Sequence, residues 1–361
     1  MAMRLAPFVA AAALLLVSLS LGCSAAKNIG GEEPELPALD ISDRQDAIRL
    51  TNGTVNLVIV PSLGGRIMRY GYTGGGRNVL WTNPDADTAP SAIPSATMPT
   101  TRPKSTNYGG DKAWPWPQDE WPRLIGRTYP PPHEADQAVY RSRLIGSHGV
   151  RLESPPIASH GARIVREILL DPVGTRVTIV TRLQLATSDR PPPSMAAWSI
   201  TQIPGNAKLF ARLMSGGETK PMAPAATAAT TRPVNDRVIT IHPPVPRAAK
   251  LGLDADVLAA AMGSTLFVQR SPTAAAANER GYRATERAQI FCQKASGSTP
   301  QYVELEFTSP RRDLAAGEVP ELRVTWELRE DAKGWPEEKV AAFLLNDTPE
   351  PANLTAPLHV P

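Results

Sequence analysis

Short β-rich runs separated by turn residues constrain this chain more than any other feature of its sequence. Two such runs flank Asn52 and Gly53, a dipeptide that is the strongest short signal for a β-hairpin. A second hairpin is predicted where the runs 163–170 and 175–187 flank a turn at 171–174. Further strands are predicted near residues 139–146, 196–203, 207–214, 237–242, 264–269, 288–293, 302–308 and 322–328.

Helical signals are scarce and fall on two segments, 254–262 and 336–345. Many strands without alternating helices predict an all-β sandwich with few short helices and one core. We expect the domain to span residues 46–330, followed at 331–361 by a C-terminal helix and a proline-rich tail. Two insertions rich in Ala, Thr and Pro, at 85–105 and 221–234, each contain Thr-Thr-Arg-Pro and are predicted to be exposed loops.

Composition excludes several classes of function. The 38 Lys and Arg against 35 Asp and Glu give a net charge of +3, too small for a nucleic-acid binder held by bulk charge. The 42% of hydrophobic residues excludes a disordered tail protein. The five histidines show no HxxxH or HxH spacing, so no metal site and no cofactor are predicted.

The first residues are typical of an export signal, with Arg4 before an apolar run. We predict a signal peptide of lipoprotein type at 1–22, lipidation of Cys23 and a tether at 23–45, so that the membrane is a partner through a lipid anchor. The segment before Cys23 resembles a bacterial lipobox, although Ser20 and Leu21 depart from that pattern, and a plain secreted protein is the alternative. The resemblance favours the cell envelope, at the outer membrane. Cys292, in an apolar stretch, is interpreted as a buried small side chain.

The segment 107–122 is the most unusual in the chain and holds three of its seven tryptophans, Trp114, Trp116 and Trp121. Prolines between aromatic residues favour a stiff, extended backbone. Sugars pack their C–H faces on aromatic rings while polar groups bind their hydroxyls. This cluster therefore predicts the rim of a carbohydrate pocket. The alternative is that the tryptophans plug one end of the sandwich.

Four motifs stand out in this chain: Pro-Ser-Leu-Gly-Gly-Arg-Ile at 61–67, the segment 107–121, Trp-Ser-Ile-Thr-Gln at 198–202 and Tyr-Val-Glu-Leu-Glu at 302–306. Together they resemble the uncharacterised DUF4380 family, which is related to the galactose mutarotase-like (aldose 1-epimerase) superfamily. The match covers residues 45 to 330. The resemblance implies a β-supersandwich whose concave face binds a monosaccharide or a glycan end.

Mutarotation needs a carboxylate base and an acid, usually histidine in the epimerases. The alternation in 302–307 places Glu304 and Glu306 on the face opposite Val303, Leu305 and Phe307, which makes Glu304 the best candidate base. The strand of residues 197–202, which carries a histidine in the epimerases, has none here. Asp111 is a candidate as alternative acid or as acceptor of a sugar hydroxyl.

The sequence therefore leaves two functions of different classes, and a structural envelope lipoprotein is the third alternative. The favoured one is a surface-anchored protein that binds carbohydrate without catalysis, and the alternative is a carbohydrate epimerase with Glu304 as base. No nucleic-acid partner is expected. The predicted ligand-binding residues are Arg66, Asn107, Gly109, Gly110, Asp111, Trp114, Gln118, Trp121, Trp198 and Gln202.

Overall fold

The computed structural model describes residues 44–86, 105–186, 194–222, 229–243, 247–272, 282, 284–294 and 301–346. Several predicted segments lie outside these residues: the signal peptide, Cys23, nearly all of the tether, most of the 85–105 insertion and the tail after Asn346.

The strands are β1 (Ile48–Thr51), β2 (Val55–Val60), β3 (Arg66–Tyr72), β4 (Asp111–Trp116), β5 (Arg141–Ile145), β6 (Gly149–Glu153), β7 (Ala162–Leu170), β8 (Val177–Leu185), β9 (Ser194–Pro204), β10 (Lys208–Leu213), β11 (Thr219–Pro221), β12 (Thr230–Pro233), β13 (Val238–His242), β14 (Ala249–Leu253), β15 (Ala255–Met262), β16 (Thr265–Arg270), β17 (Ala288–Cys292), β18 (Tyr302–Thr308), β19 (Arg312–Asp313) and β20 (Glu321–Arg329). The α-helices are α1 (Trp121–Ile125), α2 (His133–Asp136) and α3 (Glu337–Asn346).

The described strands form two antiparallel sheets of ten strands each, so the all-β sandwich is confirmed. The first sheet has the order β1-β2-β3-β4-β9-β18-β17-β14-β11, and β19 pairs with β9. The second has the order β12-β13-β10-β15-β16-β20-β8-β7-β6-β5. Alternate residues of both sheets fill the apolar core between them, and the large side chains Tyr70, Phe267 and Trp326 meet there.

Both predicted hairpins are present. β1 pairs with β2 across Asn52 and Gly53, and the Asn52 Oδ1 accepts from the backbone N–H groups of Thr54 and Val55. β7 pairs with β8 along its whole length. The predicted strands form within a few residues of their expected bounds, because alternation and turn chemistry point to the same pairing.

The predicted helix at 254–262 is wrong, because this segment forms strand β15 between β10 and β16. Its Leu258 faces the main core, whereas Val257 packs under α3 with Val340 and Leu344. A strand that is covered on both faces reads as a continuous apolar run without alternation, and periodicity alone cannot separate such a run from a helix. The second predicted helix is present as α3.

The Thr-Thr-Arg-Pro segment at 230–233 forms the edge strand β12, paired with β13 and mostly exposed. Pro233 ends this strand, in keeping with the confinement of proline to edges and ends. The loop predicted at 221–234 is therefore wrong at 230–233, and strands β4, β6, β11, β12, β14 and β19 were not predicted. Among the described residues, no helix is long and apolar enough to cross a membrane.

Candidate functional site

Strand β18 places two carboxylates on the outer face of the first sheet. Val303, Leu305 and Phe307 point into the core, as the alternation predicts. Glu304 and Glu306 therefore share the opposite face, and both have low exposure. The Glu304 side chain keeps 12% of its surface exposed, and that of Glu306 keeps none.

The neighbouring strands hold the Glu304 carboxylate. Gln202 lies directly opposite Glu304 in the register of β9 and β18, and its Nε2 donates to Glu304 Oε1 at 2.7 Å. The Lys112 ammonium, on β4, lies 3.5 Å from the same oxygen. Burial lowers the pKa of Lys112, and the charge of Glu304 opposes this shift. Glu304, Gln202 and Lys112 thus form one connected polar group on this face.

Glu306 is held by a different set of donors. Its Oε2 accepts from Trp198 Nε1 at 2.9 Å and from Lys250 Nζ at 3.0 Å. Burial raises the pKa of Glu306 to about 7, while the Lys250 ammonium acts in the opposite direction. The two carboxylates of β18 therefore differ in environment: Glu304 reaches solvent, and Glu306 is enclosed.

The tryptophans predicted to bind a ligand pack against one another instead. Trp114 contacts Trp121 and Trp198 with ring centroids 5.7 and 5.3 Å apart. Their exposed fractions are 6% for Trp114, 0% for Trp121 and 2% for Trp198, so none presents an open ring face. The Lys112 ammonium lies 4.5 Å from the centroid of the Trp114 ring, a cation–π contact. The tryptophan cluster is thus a floor beneath the charged groups, which agrees with the plug alternative.

Arg66 lies under the loop that leads into β4. Its guanidinium donates to the carboxylate of Asp136 at 2.6 Å and to the carbonyl of Gly109 at 3.1 Å. Trp114 Nε1 donates to the same Asp136 oxygen at 2.8 Å. Asp136, on α2, therefore neutralises the Arg66 charge, and sequence reasoning missed it because α2 is one short turn without periodicity.

Gly109 and Gly110 allow close backbone packing. Both have a positive φ, of 85° and 71°. A Cβ at Gly109 would lie 2.4 Å from the carbonyl oxygen of Trp81, and one at Gly110 would lie 2.4 Å from that of Ile67. The tight contacts that these glycines make are therefore with the protein's own backbone.

Asp111 lies on the other face of the sheet from Glu304. Its side chain points between the sheets, where its carboxylate binds the Arg166 guanidinium and accepts from Thr201 Oγ1 at 2.7 Å and from Ser199 Oγ at 3.3 Å. Both Asp111 and Arg166 are fully buried. The structure therefore does not bring Asp111 together with Glu304.

Asn107 and Gln118 lie in the segments that border this face. The Asn107 Oδ1 accepts from the backbone N–H of Gly109 at 3.2 Å, and its side chain also hydrogen-bonds the phenol of Tyr302. Gln118 donates to the carbonyl of Thr128 at 3.0 Å and so holds the loop that follows α1. Of the predicted residues, the structure brings Glu304, Gln202, Arg66, Asn107, Trp114 and Trp198 to one face.

Two aromatic residues beside Glu304 were missed from the sequence. Phe291 lies directly opposite Glu304 in the register of β17 and β18 and is half-buried. Tyr129, in the loop after α1, is 57% exposed, and the charges of Asp136 and Glu304 act on its phenol. The position of Phe291 beside Glu304 depends on strand register, and that of Tyr129 depends on the path of a loop. Neither can be predicted from the local sequence.

The described histidines belong to other parts of the molecule or to its surface. His133 is the exposed first residue of α2. Three others hydrogen-bond a neighbouring hydroxyl: His148 with Ser147, His160 with Ser159 and His242 with Thr240. Within the described part of the chain, no group of three or more His, Cys, Asp and Glu side chains is placed to hold a metal ion.

Comparison with known proteins shows similarity to solved structures, at the level of the fold. No family model and no curated protein match this chain, so the resemblance to DUF4380 rests on its residues alone. A TPR-domain containing protein from Parabacteroides distasonis is similar over 79% of this chain, with 13% identity and a TM-score of 0.48. This chain covers 47% of that protein, about half of its length.

Two shorter proteins are covered almost completely. A putative aldose 1-epimerase from Escherichia coli matches 79% of this chain and 99% of its own, with 10% identity and a TM-score of 0.44. A galactose mutarotase related enzyme from Lactobacillus acidophilus matches 78% of this chain and 97% of its own, with 10% identity and a TM-score of 0.45.

Proposed function

We propose that this protein binds carbohydrate on the outer face of its first sheet, around Glu304. The observation that carries the proposal is the setting of this carboxylate. Its side chain is 12% exposed, Gln202 and Lys112 fix one of its oxygens, and the half-buried Phe291 lies beside it. A fixed acceptor next to an aromatic surface suits a sugar, which presents hydroxyls at its edge and C–H bonds on its faces.

The proposal includes the domain and the location inferred from the sequence. Residues 46–330 form a galactose mutarotase-like domain, supported by the four motifs and by the two-sheet sandwich. The chain is an exported lipoprotein, anchored to the membrane of the cell envelope through Cys23, as the N-terminal sequence indicates. A lipid anchor would hold the domain close to glycans of the membrane surface.

An epimerase is the second candidate, favoured by the pairing of Glu304 with Lys112. The two groups lie 3.5 Å apart, and burial lowers the pKa of the Lys112 ammonium. An ammonium with a lowered pKa is a better proton donor, and a carboxylate beside it is a proton acceptor. This pair would supply the acid and the base that anomer interconversion requires.

The test is a titration of the full-length protein, purified in detergent, with D-glucose, D-galactose, D-mannose and D-xylose. Binding is followed by calorimetry and anomer interconversion by NMR. Glu304→Gln keeps the size of the side chain and removes its charge, so we expect affinity to fall at least tenfold. Glu321→Gln, at a partly exposed position of β20, is the matched control.

The outcomes separate the candidates. Saturable binding without faster interconversion supports the binding protein. Interconversion that is accelerated by the wild type and lost in Glu304→Gln supports the epimerase. Equal affinity of Glu304→Gln and wild type contradicts a site at Glu304, and binding of none of the sugars leaves the structural envelope role.

A further inference from the structure

Glu306 and four side chains around it form an enclosed group, called here the Glu306 recess: Glu306, Gln289, Trp116, Trp198 and Lys250. Glu306 and Gln289 are directly opposite in the register of β18 and β17. The Lys250 ammonium binds Glu306 and lies 4.6 Å from the ring centroid of Trp198 and 5.7 Å from that of Trp116. These contacts place all five side chains in one neighbourhood.

Three polar atoms of the recess have no hydrogen-bond partner among the described residues. They are Glu306 Oε1, Gln289 Oε1 and Trp116 Nε1. Glu306 and Gln289 are 0% exposed and Trp116 is 6% exposed. Buried polar groups in folded proteins almost always have a partner, so three without one in a single neighbourhood require an explanation.

The orientation of the Gln289 amide is fixed by the hydrogen bond of its nitrogen. Its Nε2 donates to the carbonyl of Glu286 at 3.3 Å, which leaves Oε1 as the unpartnered atom. Likewise both donors to Glu306 bind Oε2, which leaves Oε1. The recess therefore offers two acceptors and one donor.

The charges of the recess limit which chemical groups of a ligand could partner these three atoms. Lys250 is the cation of the recess, and it already binds Glu306. A carboxylate or phosphate would bring acceptors to the free oxygens of Glu306 and Gln289 and would be repelled by the Glu306 charge. Two hydroxyls supply two donors and can accept from Trp116, which matches the unpartnered atoms.

A short segment closes the recess on the side of β14. Gly252 lies opposite Gln289, and a Cβ there would lie 2.2 Å from the carbonyl oxygen of Thr285. The backbone of Ala284–Glu286, a 3-10 helix, is thus seated on Gly252 and also accepts from Gln289. Glu304, two residues along β18, lies about 7 Å from Glu306 along the strand, which is comparable to the width of one sugar ring.

We propose that the Glu306 recess is a ligand subsite that takes two neighbouring hydroxyls of the carbohydrate whose remainder lies at Glu304. This inference rests on the proposed function. Gln289 and Glu306 accept from the hydroxyls, Trp116 donates to one of them, and Lys250 holds the Glu306 carboxylate in place.

The experiment combines a deletion in the protein with deletions in the sugar. Gln289→Leu removes the acceptor, together with the hydrogen bond to the Glu286 carbonyl, at almost constant size. The probes are the tightest-binding of D-glucose, D-galactose and D-mannose and the 2-, 3-, 4- and 6-deoxy analogues of that sugar. We expect the variant to bind the parent sugar about tenfold more weakly. At least one deoxy analogue should bind equally well to the wild type and the variant, because the two deletions remove the same contact.

Gln184→Leu, at a partly exposed position of β8, is the matched control and should leave all affinities unchanged. If Gln289→Leu fails to fold, Trp116→Phe removes the indole N–H donor while keeping an aromatic ring, and it should weaken binding of the parent sugar a few fold. A fall in melting temperature with every affinity unchanged overturns the subsite and assigns these side chains to stability. Failure of the wild type to bind any sugar overturns the proposed function and this inference with it.

Discussion

The Arg166 guanidinium, on the second sheet, binds the Asp111 carboxylate, on the first, in the interior between the two sheets. Both side chains are 0% exposed. Arg166 also donates to the carbonyl of Gly65 at 3.0 Å, and Thr201 and Ser199 donate to Asp111. A buried pair of this kind adds little net stability, but removing one partner leaves an uncompensated charge in the core.

Arg166→Met is therefore expected to lower the free energy of unfolding by about 3–5 kcal/mol, because the Asp111 carboxylate loses its counter-charge. The double variant Arg166→Met with Asp111→Asn removes both charges and should lose less than the single variant. Arg163→Met, at a half-buried position of the same strand, serves as the control. Urea unfolding measures all three, and a double variant less stable than Arg166→Met would contradict this account.

The position of Asp111 illustrates which parts of the site a sequence can predict. Asn52 and Gly53 predicted the first hairpin because turn chemistry is local. The face of Glu304 could be predicted because alternation is also local. Asp111 follows two glycines of positive φ, and its partner Arg166 lies far away in the chain. A pairing of this range leaves no local signal.

The same limit applies to the other members of the site. Asp136 neutralises Arg66 and Lys250 neutralises Glu306 only because the fold brings their strands and helices together. The residues next to a tryptophan in the sequence do not show whether it lies in a core or on the rim of a pocket. Strand β15 was predicted as a helix because α3, which lies outside that segment, covers its second face.

Trp121→Ala is expected to destabilise the fold, not to remove a ligand contact alone. The side chain is fully buried, packs on Trp114 and Trp198, and donates to the carbonyl of Pro115 at 3.2 Å. Removal of a large buried aromatic side chain costs about 3–5 kcal/mol. Trp121→Phe, which retains part of the volume, should cost less. A Trp121→Ala variant with the unfolding midpoint of the wild type would contradict the buried position.

His160 is expected to make the protein less stable in acid. Burial lowers its pKa to about 4, and its Nε2 has no partner among the described residues. The unfolded chain binds a proton near pH 6.5 and the folded chain only near 4, so this contribution to stability is present above about pH 6.5 and lost as the pH falls toward 4.

The pH dependence is measured as the difference in free energy of unfolding between the wild type and His160→Gln at each pH. This difference should rise from pH 4 to 6.5 by an amount on the order of 3 kcal/mol. Glu306, whose raised pKa of about 7 makes stability fall as the pH rises toward 7, is present in both chains and cancels. A difference that does not change with pH would show that folding leaves the pKa of His160 at its unfolded value.

The Glu304 face is expected to prefer uncharged sugars over uronates. Each of the three cations named on this face already has a carboxylate partner: Lys112 has Glu304, Arg66 has Asp136 and Lys250 has Glu306. A uronate would therefore meet carboxylates without a cation to compensate its charge, at distances of a few ångströms where repulsion is strong.

Calorimetric titrations of the protein with D-galactose and D-galacturonate, and with D-glucose and D-glucuronate, should show at least tenfold weaker binding of the acid in each pair. Raising the salt concentration should narrow this difference in affinity, since screening weakens repulsion where the Glu304 side chain reaches solvent. Tighter binding of either uronate would mean that a cation on this face leaves its partner when the ligand enters.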